Sequence, residues 1–197
     1  MALVGVLALQ GAFREHAAAV SRLGAEVREL RQRKHLDGID ALILPGGEST
    51  VMGKLLTELD MLEAVRRRIA AGMPVYGSCA GLILLCETIE DSTQPRIGLL
   101  HASVRRNAFG RQVDSFETDL AVKGLDAPLR AVFIRAPLIT AVGPDVDVLA
   151  RVDTAAHGGE GERIVAVRQG NILATSFHPE LTPDTRLHAA FLAMLPA

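Results

Sequence analysis

Cysteine is scarce in this sequence, and its scarcity excludes a disulfide-stabilised fold. Cys79 and Cys86 are the two cysteines among 197 residues. On what reads as one helix they lie about two turns apart, too far for a disulfide. No CxxC pair or closely spaced histidines accompany them, so a zinc site is poorly supported. Free thiols are expected in a reducing compartment, which favours the cytoplasm.

The sequence also lacks an excess of charge and a long apolar run. Its formal net charge is −2, with 21 Lys and Arg scattered along the chain, so no basic face is predicted for nucleic acid or an anionic membrane. No apolar run approaches the ~20 residues that cross a bilayer. The apolar opening lacks the basic start of a signal peptide and reads as a buried strand. We expect a soluble protein forming one domain over residues 1–197.

The order of elements predicts an α/β fold. In the first half, strands are predicted at 3–9, 41–44 and 74–76. Helices are predicted at 12–23, largely over 55–71, and from the third strand to about 90. This alternation of strands and helices indicates a parallel sheet. In the second half, strands are predicted at 115–122, 131–134, 146–152, 164–168 and 172–177. The last two form a hairpin across 169–171, and a helix follows at 184–195. The prediction is a single-domain, flavodoxin-like three-layer sandwich, with a mostly parallel central sheet and helices on both faces.

Three segments follow apolar strands at the carboxyl ends, where open α/β sheets bind ligands. In the second, YGSCAG at 76–81, Cys79 fits Gly-x-nucleophile-x-Gly, a pattern typical of a sharp strand-to-helix turn. The helix start favours thiolate, and the amide of Ala80 points where an oxyanion would form. The pattern predicts Cys79 as a nucleophile, the alternative being a small buried side chain. Cys86 lies in an apolar stripe and is predicted to pack in the core.

The third segment supplies a base and a carboxylate. Of six histidines, His178 is the one that follows an apolar strand and precedes a proline. In an extended segment residues two apart share a face, so Glu180 is predicted to lie beside the imidazole. A histidine oriented by a carboxylate is the usual activator of a cysteine nucleophile. The alternative is a strand-capping histidine followed by a solvated turn.

The first segment, LPGGEST at 44–50, is a glycine loop. Its loose match to a phosphate-binding loop fails in spacing, and Leu55 stands where a magnesium-binding hydroxyl belongs. Gly46 and Gly47 are predicted to let backbone amides approach an oxyanion beside the nucleophile, while Ser49 or Thr50 caps the next helix. A plain turn without function is the alternative.

Together these segments resemble class I, triad-type glutamine amidotransferases. Further motifs are similar to the pyridoxal 5'-phosphate synthase glutaminase family, and the resemblance covers essentially the whole chain. The motifs are GVLALQGAFREH at 5–16, LPGGEST at 44–50, GSCAGLILL at 77–85, RNAFGRQVDSFE at 106–117, FIRAP at 133–137 and FHPELT at 177–182. RNAFGRQVDSF and FIRAP are the most specific of these. Ser78 departs from the threonine that the family usually carries there.

The resemblance implies roles for individual residues. The catalytic residues would be Cys79, His178 and Glu180. Glutamine would be bound by Gly47, Glu48, Ser49, Arg106, Ile134 and Arg135. The amides of Gly47 and Ala80 would form the oxyanion hole, and Gln10 would act in gating. Guanidinium groups suit the carboxylate of an amino acid, although either arginine alone also fits a surface salt bridge.

The resemblance further implies hydrolysis of L-glutamine to glutamate and ammonia through a cysteinyl thioester. The ammonia would pass to a separate synthase subunit that makes pyridoxal 5'-phosphate. No motif requires a metal or an organic cofactor. A cysteine peptidase or related thiol hydrolase and a non-catalytic module on the same fold are the alternatives, and retention of both His178 and Glu180 argues against the second.

Overall fold

The computed structural model describes residues 2–106, 115–155 and 161–196. The strands are β1 (Leu3–Leu7), β2 (Glu26–Leu30), β3 (Ala41–Leu44), β4 (Val75–Ser78), β5 (Cys86–Ile89), β6 (Leu100–Arg105), β7 (Ser115–Leu120), β8 (Leu129–Ile134), β9 (Leu138–Val142), β10 (Asp147–Asp153), β11 (Glu162–Gln169) and β12 (Ile172–Thr175). The helices are α1 (Phe13–Arg22), α2 (Ser49–Glu58), α3 (Leu62–Ala70), α4 (Ala80–Leu85) and α5 (Arg186–Leu192), with single 3-10 turns at Arg33–Leu36 and Pro179–Leu181.

The larger of two sheets runs in the order β2-β1-β3-β4-β12-β11-β9-β6-β5, with β10 paired to β11. Its first five strands are parallel to one another. Five of the nine strand pairs described in this sheet are parallel, which confirms an α/β fold with a mostly parallel sheet. The strands β7 and β8 form a separate antiparallel ribbon.

The inner parallel strands β1, β3, β4 and β12 are buried on both faces, which explains why their sequences are mainly apolar. On one face Leu42 joins a cluster with residues of α2, α3 and α4, including Val65. On the other face Ile43 packs with Val20 of α1 and Phe191 of α5. Because successive side chains of a strand alternate, one short strand contributes to both clusters.

The segment at 55–71 is largely helical, as predicted, but it contains parts of two helices instead of one. Helix α2 starts earlier, at Ser49, and ends at Glu58, and α3 begins at Leu62. Asp60 between them has a φ of 53°, a left-handed conformation that aspartate tolerates better than most residues. The Met61 amide donates to the Leu56 carbonyl at 2.8 Å, which closes the end of α2.

The helix predicted to reach residue 90 is wrong. Helix α4 ends at Leu85, and Cys86 begins strand β5, which pairs with β6. The two cysteines therefore do not share a helix. An apolar run of this length is compatible with a buried helix or a buried strand, and periodicity cannot separate them. Strands β2, β6 and β9 were not predicted either.

The second half agrees better with the prediction. The hairpin is confirmed: β11 and β12 are antiparallel, with Gln169 opposite Ile172 and Gly170 at a φ of 52° in the turn. Of the motif at 106–117, residues 107–114 lie outside the described residues. None of the helices in the described ranges is long and apolar enough to cross a bilayer.

Candidate active site

Four loops meet at one edge of the larger sheet. They leave the carboxyl ends of β1, β3, β4 and β12, which are parallel neighbours. The three segments that the sequence singled out follow the last three of these strands, and the loop with Gln10 follows the first. This arrangement brings residues more than 160 positions apart in the sequence to the same place.

The turn after β4 holds Cys79 in a strained conformation. Its φ is 48° and its ψ is −101°, which a residue with a side chain rarely adopts. The Cys79 amide donates to the Thr175 carbonyl at 2.8 Å and so ties the turn to β12. A Cβ on Gly81 would lie 2.0 Å from the Leu44 carbonyl oxygen, and one on Gly77 would lie 2.7 Å from the Gly81 carbonyl carbon. Larger residues at either glycine would displace the turn.

His178 and Glu180 form a hydrogen-bonded pair. His178 Nδ1 lies 2.8 Å from Glu180 Oε1, and both residues are buried. The His178 amide donates to the Val132 carbonyl in β8 at 2.8 Å. The pair is not on an extended segment as predicted, because Pro179 starts a 3-10 turn that contains Glu180. Proline suits the first position of such a turn, since it has no amide proton to satisfy.

The two side chains of the pair have opposite pKa shifts. Burial acts to lower the pKa of His178, but the interactions with the Cys79 side chain and the Glu180 carboxylate outweigh it and raise this pKa to about 10. Burial acts to raise the pKa of Glu180, but the imidazoles of His16 and His178 outweigh it and lower the pKa. At neutral pH the pair therefore favours an imidazolium beside a carboxylate.

A cavity of about 430 Å³ opens beside this pair. Its walls contain Cys79 and His178, and around them lie Gln10, Gly47, Glu48, Ser49, Ile83, Arg106, Ile134 and Arg135. All of the residues that the sequence predicted to contact glutamine therefore lie in the wall of this one cavity. Ala80, predicted for its backbone amide, is the first residue of α4 and is 1% exposed.

Arg106 is held in place by three polar neighbours. Its Nη1 donates to Gln94 Oε1 at 2.7 Å and to Thr50 Oγ1 at 2.8 Å, and its Nη2 lies 3.4 Å from Glu48 Oε1. A guanidinium has five N–H groups. Three of them serve these neighbours, and Arg106 also lies in the wall of the cavity.

The cap of α2 differs from the prediction. Glu48 is the N-cap, and its carboxylate accepts hydrogen bonds from the Thr50 amide at 3.1 Å and the Val51 amide at 2.8 Å. Ser49 and Thr50 were the predicted caps, and both lie inside the helix. A glutamate reaches the amides two and three residues on in the same way as the shorter aspartate. The amide of Glu48 donates to Gln10 Oε1 at 2.6 Å, which joins two of the four loops.

The ribbon β7–β8 borders the cavity through the end of β8. The ring centroids of Phe133 and Phe177 lie 5.5 Å apart, so the ribbon is packed beside the chain that leads to His178. Ile134 is 37% exposed, and Arg135 has a φ of 42°. Left-handed backbone at a non-glycine residue is uncommon, and it clusters at ligand sites.

Comparison with known proteins identifies the family. The model of the SNO glutamine amidotransferase family matches residues 6–196. The chain belongs to this family. The pyridoxal 5'-phosphate synthase subunit PdxT of Acidothermus cellulolyticus is 57% identical over 98% of this chain and 94% of that protein. The protein of the same name from Desulforudis audaxviator is 56% identical over 98% of both.

Solved structures agree with this assignment. One described as a crystal structure of glutamine amidotransferase is 53% identical, with a TM-score of 0.88 and 97% of both chains covered. PurLQS from Thermotoga maritima is 18% identical, with a TM-score of 0.69 over 98% of both chains, and shares the fold.

Three residues at this amidotransferase site were missed from the sequence. Ile83 lies on α4, one helical turn after Cys79. Residues four apart share a helix face, so the spacing could have indicated that Ile83 lies beside the nucleophile. Gln94 contacts Arg106 from an irregular segment that carries no motif. His16 is fully buried, with Nε2 3.4 Å from Glu180 Oε2, and the amphipathic pattern of α1 was the signal available for it.

The second thiol is separate from the site. Cys86 is fully buried in the apolar cluster beneath α2 and α3, which confirms the prediction that it packs in the core. Burial raises the pKa of its thiol well above the ordinary range. Both cysteines are free.

Proposed function

We propose that this chain hydrolyses L-glutamine and delivers the ammonia to a separate synthase subunit for the biosynthesis of pyridoxal 5'-phosphate, vitamin B6. The observation that carries the proposal is the buried His178–Glu180 pair beside Cys79, at the wall of a cavity lined by polar groups. Membership of a glutamine amidotransferase family supports the reaction. Relatives with more than half of their residues identical are named pyridoxal 5'-phosphate synthase subunit PdxT, which supports the partner.

The catalytic roles follow from the chemistry of amide hydrolysis. The Cys79 thiolate attacks the side-chain amide carbon of glutamine, and the amides of Gly47 and Ala80 hold the oxyanion. His178 gives its proton to the departing nitrogen, so ammonia leaves and a glutamyl thioester remains. The imidazole then takes a proton from water, whose oxygen attacks the thioester, and glutamate and the thiolate are released. Glu180 orients the imidazole and stabilises its charged form.

Glutamine binding uses the rest of the cavity wall. The guanidinium groups of Arg106 and Arg135 bind the α-carboxylate. The backbone at Gly47 and Ile134 fixes polar atoms of the ligand. Glu48 and Ser49 complete this wall. Gln10 has a gating role, since its hydrogen bond to the Glu48 amide couples its loop to the oxyanion loop.

The same proposal extends to architecture and location. Residues 1–197 form a single domain, a three-layer sandwich in which helices cover both faces of the parallel strands, as the two apolar clusters at these strands suggest. Two free thiols without a disulfide support a reducing cytoplasm as the site of action. Neither a nucleic acid nor a membrane is a partner, in line with the low and scattered charge.

The test is glutamine hydrolysis by the chain alone and with saturating synthase subunit. We expect weak hydrolysis alone and a strong rise with the partner, because a misplaced oxyanion donor costs about 10²- to 10³-fold in rate. Cys79→Ala should abolish hydrolysis while the circular dichroism spectrum stays that of the wild type. Turnover of peptides instead of glutamine would support a peptidase and refute the proposal. Full activity in the isolated chain, unchanged by the partner, would refute gating alone.

A further inference from the structure

Behind Glu180, a line of buried polar side chains leads away from the cavity. His16 Nε2 lies 3.4 Å from Glu180 Oε2 and 2.9 Å from Ser78 Oγ, and His16 Nδ1 lies 2.9 Å from His188 Nε2. His16 and His188 are both completely inaccessible to solvent. They come from α1 and α5, which are far apart in the sequence. One buried histidine in contact with Glu180 and a second in contact with the first require an explanation beyond packing, since buried polar groups are costly unless they are paired.

The pKa shifts of both imidazoles favour their neutral form at neutral pH. Burial is the main cause that lowers the pKa of His16, and burial together with the neighbouring His16 lowers the pKa of His188 to about 3. The negative charge of Glu180 acts to raise the pKa of both rings, but the effect of burial is larger. A neutral imidazole has one N–H donor and one acceptor nitrogen, so each ring must adopt one of two tautomers.

The contacts select one arrangement of these protons. If His16 carried its proton on Nδ1, it would donate to His188, and His188 would then carry its own proton on Nδ1. That atom is buried without a partner among the described residues, and a buried N–H without an acceptor is costly. The His16 Nε2 lone pair would also face the Glu180 carboxylate. With the protons on the Nε2 atoms, His188 donates to His16, and His16 donates toward Ser78 Oγ and Glu180 Oε2.

We propose that His16 is a positioning residue for Glu180, and that His188 holds His16 in the tautomer that directs its Nε2–H toward the carboxylate. The proposal rests on the proposed function, since it assigns the orientation of the catalytic carboxylate. Glu180 Oε1 is held by His178 and Oε2 faces His16. Oε2 is buried and forms no hydrogen bond among the described residues, so an N–H directed at it from His16 restrains rotation of the carboxylate and, through it, of the His178 ring.

The surroundings keep the two histidines in place. The Tyr76 ring meets both imidazoles nearly edge to face, with ring centroids 5.9 Å away in each case. Tyr76 is itself fixed through its hydroxyl, 3.0 Å from Thr175 Oγ1. The Thr175 hydroxyl donates to the Phe177 carbonyl at 3.1 Å, so the tyrosine must be the donor in the first of these bonds. All three rings are inaccessible to solvent, and the two imidazoles contact each other directly.

Two substitutions of His16 separate positioning from packing. The amide nitrogen of a glutamine reaches the place of Nε2, whereas that of an asparagine reaches only the place of Nδ1. In His16→Asn we expect kcat for glutamine, with saturating synthase subunit, to fall about 10- to 100-fold, as outer hydrogen-bond partners of reactive groups commonly do. KM should stay within about twofold, because no group that touches glutamine changes. His16→Gln should recover most of the lost kcat.

A matched control is Phe191→Leu, a fully buried change on α5 whose ring lies 5.9 Å from Tyr76. It should lower the melting temperature as much as His16→Asn does and leave kcat unchanged. Equal kcat in the wild type and His16→Asn would overturn the proposal. A kcat as low in Phe191→Leu as in His16→Asn would also overturn it, because the histidine would then act through packing alone.

A direct reading of the tautomers needs no activity. In ¹⁵N NMR of the wild-type chain labelled at histidine, we expect both buried rings to be neutral and to carry their protons on Nε2. A proton on Nδ1 of His16, or a charged His16 at neutral pH, would overturn the proposal even if His16→Asn does not fold. If the wild type with its partner did not hydrolyse glutamine, the proposed function would fail instead, and the NMR result would still decide how Glu180 is held.

Discussion

The backbone at Gly46 in the glycine loop lies so close to the His178 ring that the space between them cannot hold a methyl group. A Cβ at this position would lie 2.3 Å from His178 Cε1 and 2.7 Å from Nδ1. Ordinary van der Waals contact begins at 3.4 Å, so in Gly46→Ala the ring must retreat by about 1.1 Å or the loop must move by as much. The φ of Gly46 is not positive, so its backbone accepts alanine without strain.

A displacement of this size should reduce catalysis far more than stability. A 1 Å misplacement of a reacting group costs about 100-fold in rate, while overpacking of this kind costs about 1 to 3 kcal/mol of folding free energy. We expect kcat for glutamine to fall about 100-fold and alkylation of Cys79 by iodoacetamide to slow, because the imidazole that favours the thiolate has moved.

The assay is steady-state hydrolysis with saturating synthase subunit, with the unfolding temperature measured in parallel. Gly143→Ala is a suitable control. It lies in the turn between β9 and β10, and its added Cβ would also be tight, 3.0 Å from atoms of Asp145 and His101. Gly143→Ala should lose stability without losing kcat. A Gly46→Ala enzyme with the kcat of the wild type would show that the loop, not the base, yields to the methyl group.

Two further predictions concern the buried histidines. His178→Asn should reduce glutamine hydrolysis as much as Cys79→Ala does. Glu180→Gln should keep more activity, because the orientation of the His178 ring is only partly lost. Near-normal turnover by His178→Asn would remove this residue from the mechanism. The free energy of unfolding should fall as the pH drops from about 6.5 towards 3, since unfolded His188 binds a proton over this range while the folded residue stays neutral until about pH 3. In urea denaturation across this range His188→Gln should flatten the decline, and equal slopes in this variant and the wild type would refute the assignment.

Features of the site that depend on residues adjacent in the sequence could be predicted from the sequence. The turn at Cys79 requires small residues on both sides, and the sequence provides them at Gly77 and Gly81. The buried strands before each loop are short continuous apolar runs. The rule that parallel strands place ligands at their carboxyl ends then sufficed to bring Cys79 and His178 to one edge.

Features that depend on tertiary contacts could not be predicted. The role of Gln94 depends on where Arg106 points, which no local pattern encodes. The change from α4 to β5 at Cys86 depends on pairing with β6, since the apolar run itself suits either structure. The role of His16 could not be recognised either, because its partner His188 lies 172 residues further along the chain.

The position of β12 constrains when activity can arise during folding. This strand is the last of the described strands along the chain, yet it lies in the middle of the sheet, between β4 and β11. The amide of Cys79 is bonded to Thr175 of β12, and His178 follows that strand directly. A nascent chain that still lacks this segment has an unpaired edge on β4 and a thiol without its base. Contacts so distant in sequence form late, so Cys79 gains its base only after β12 has entered the sheet.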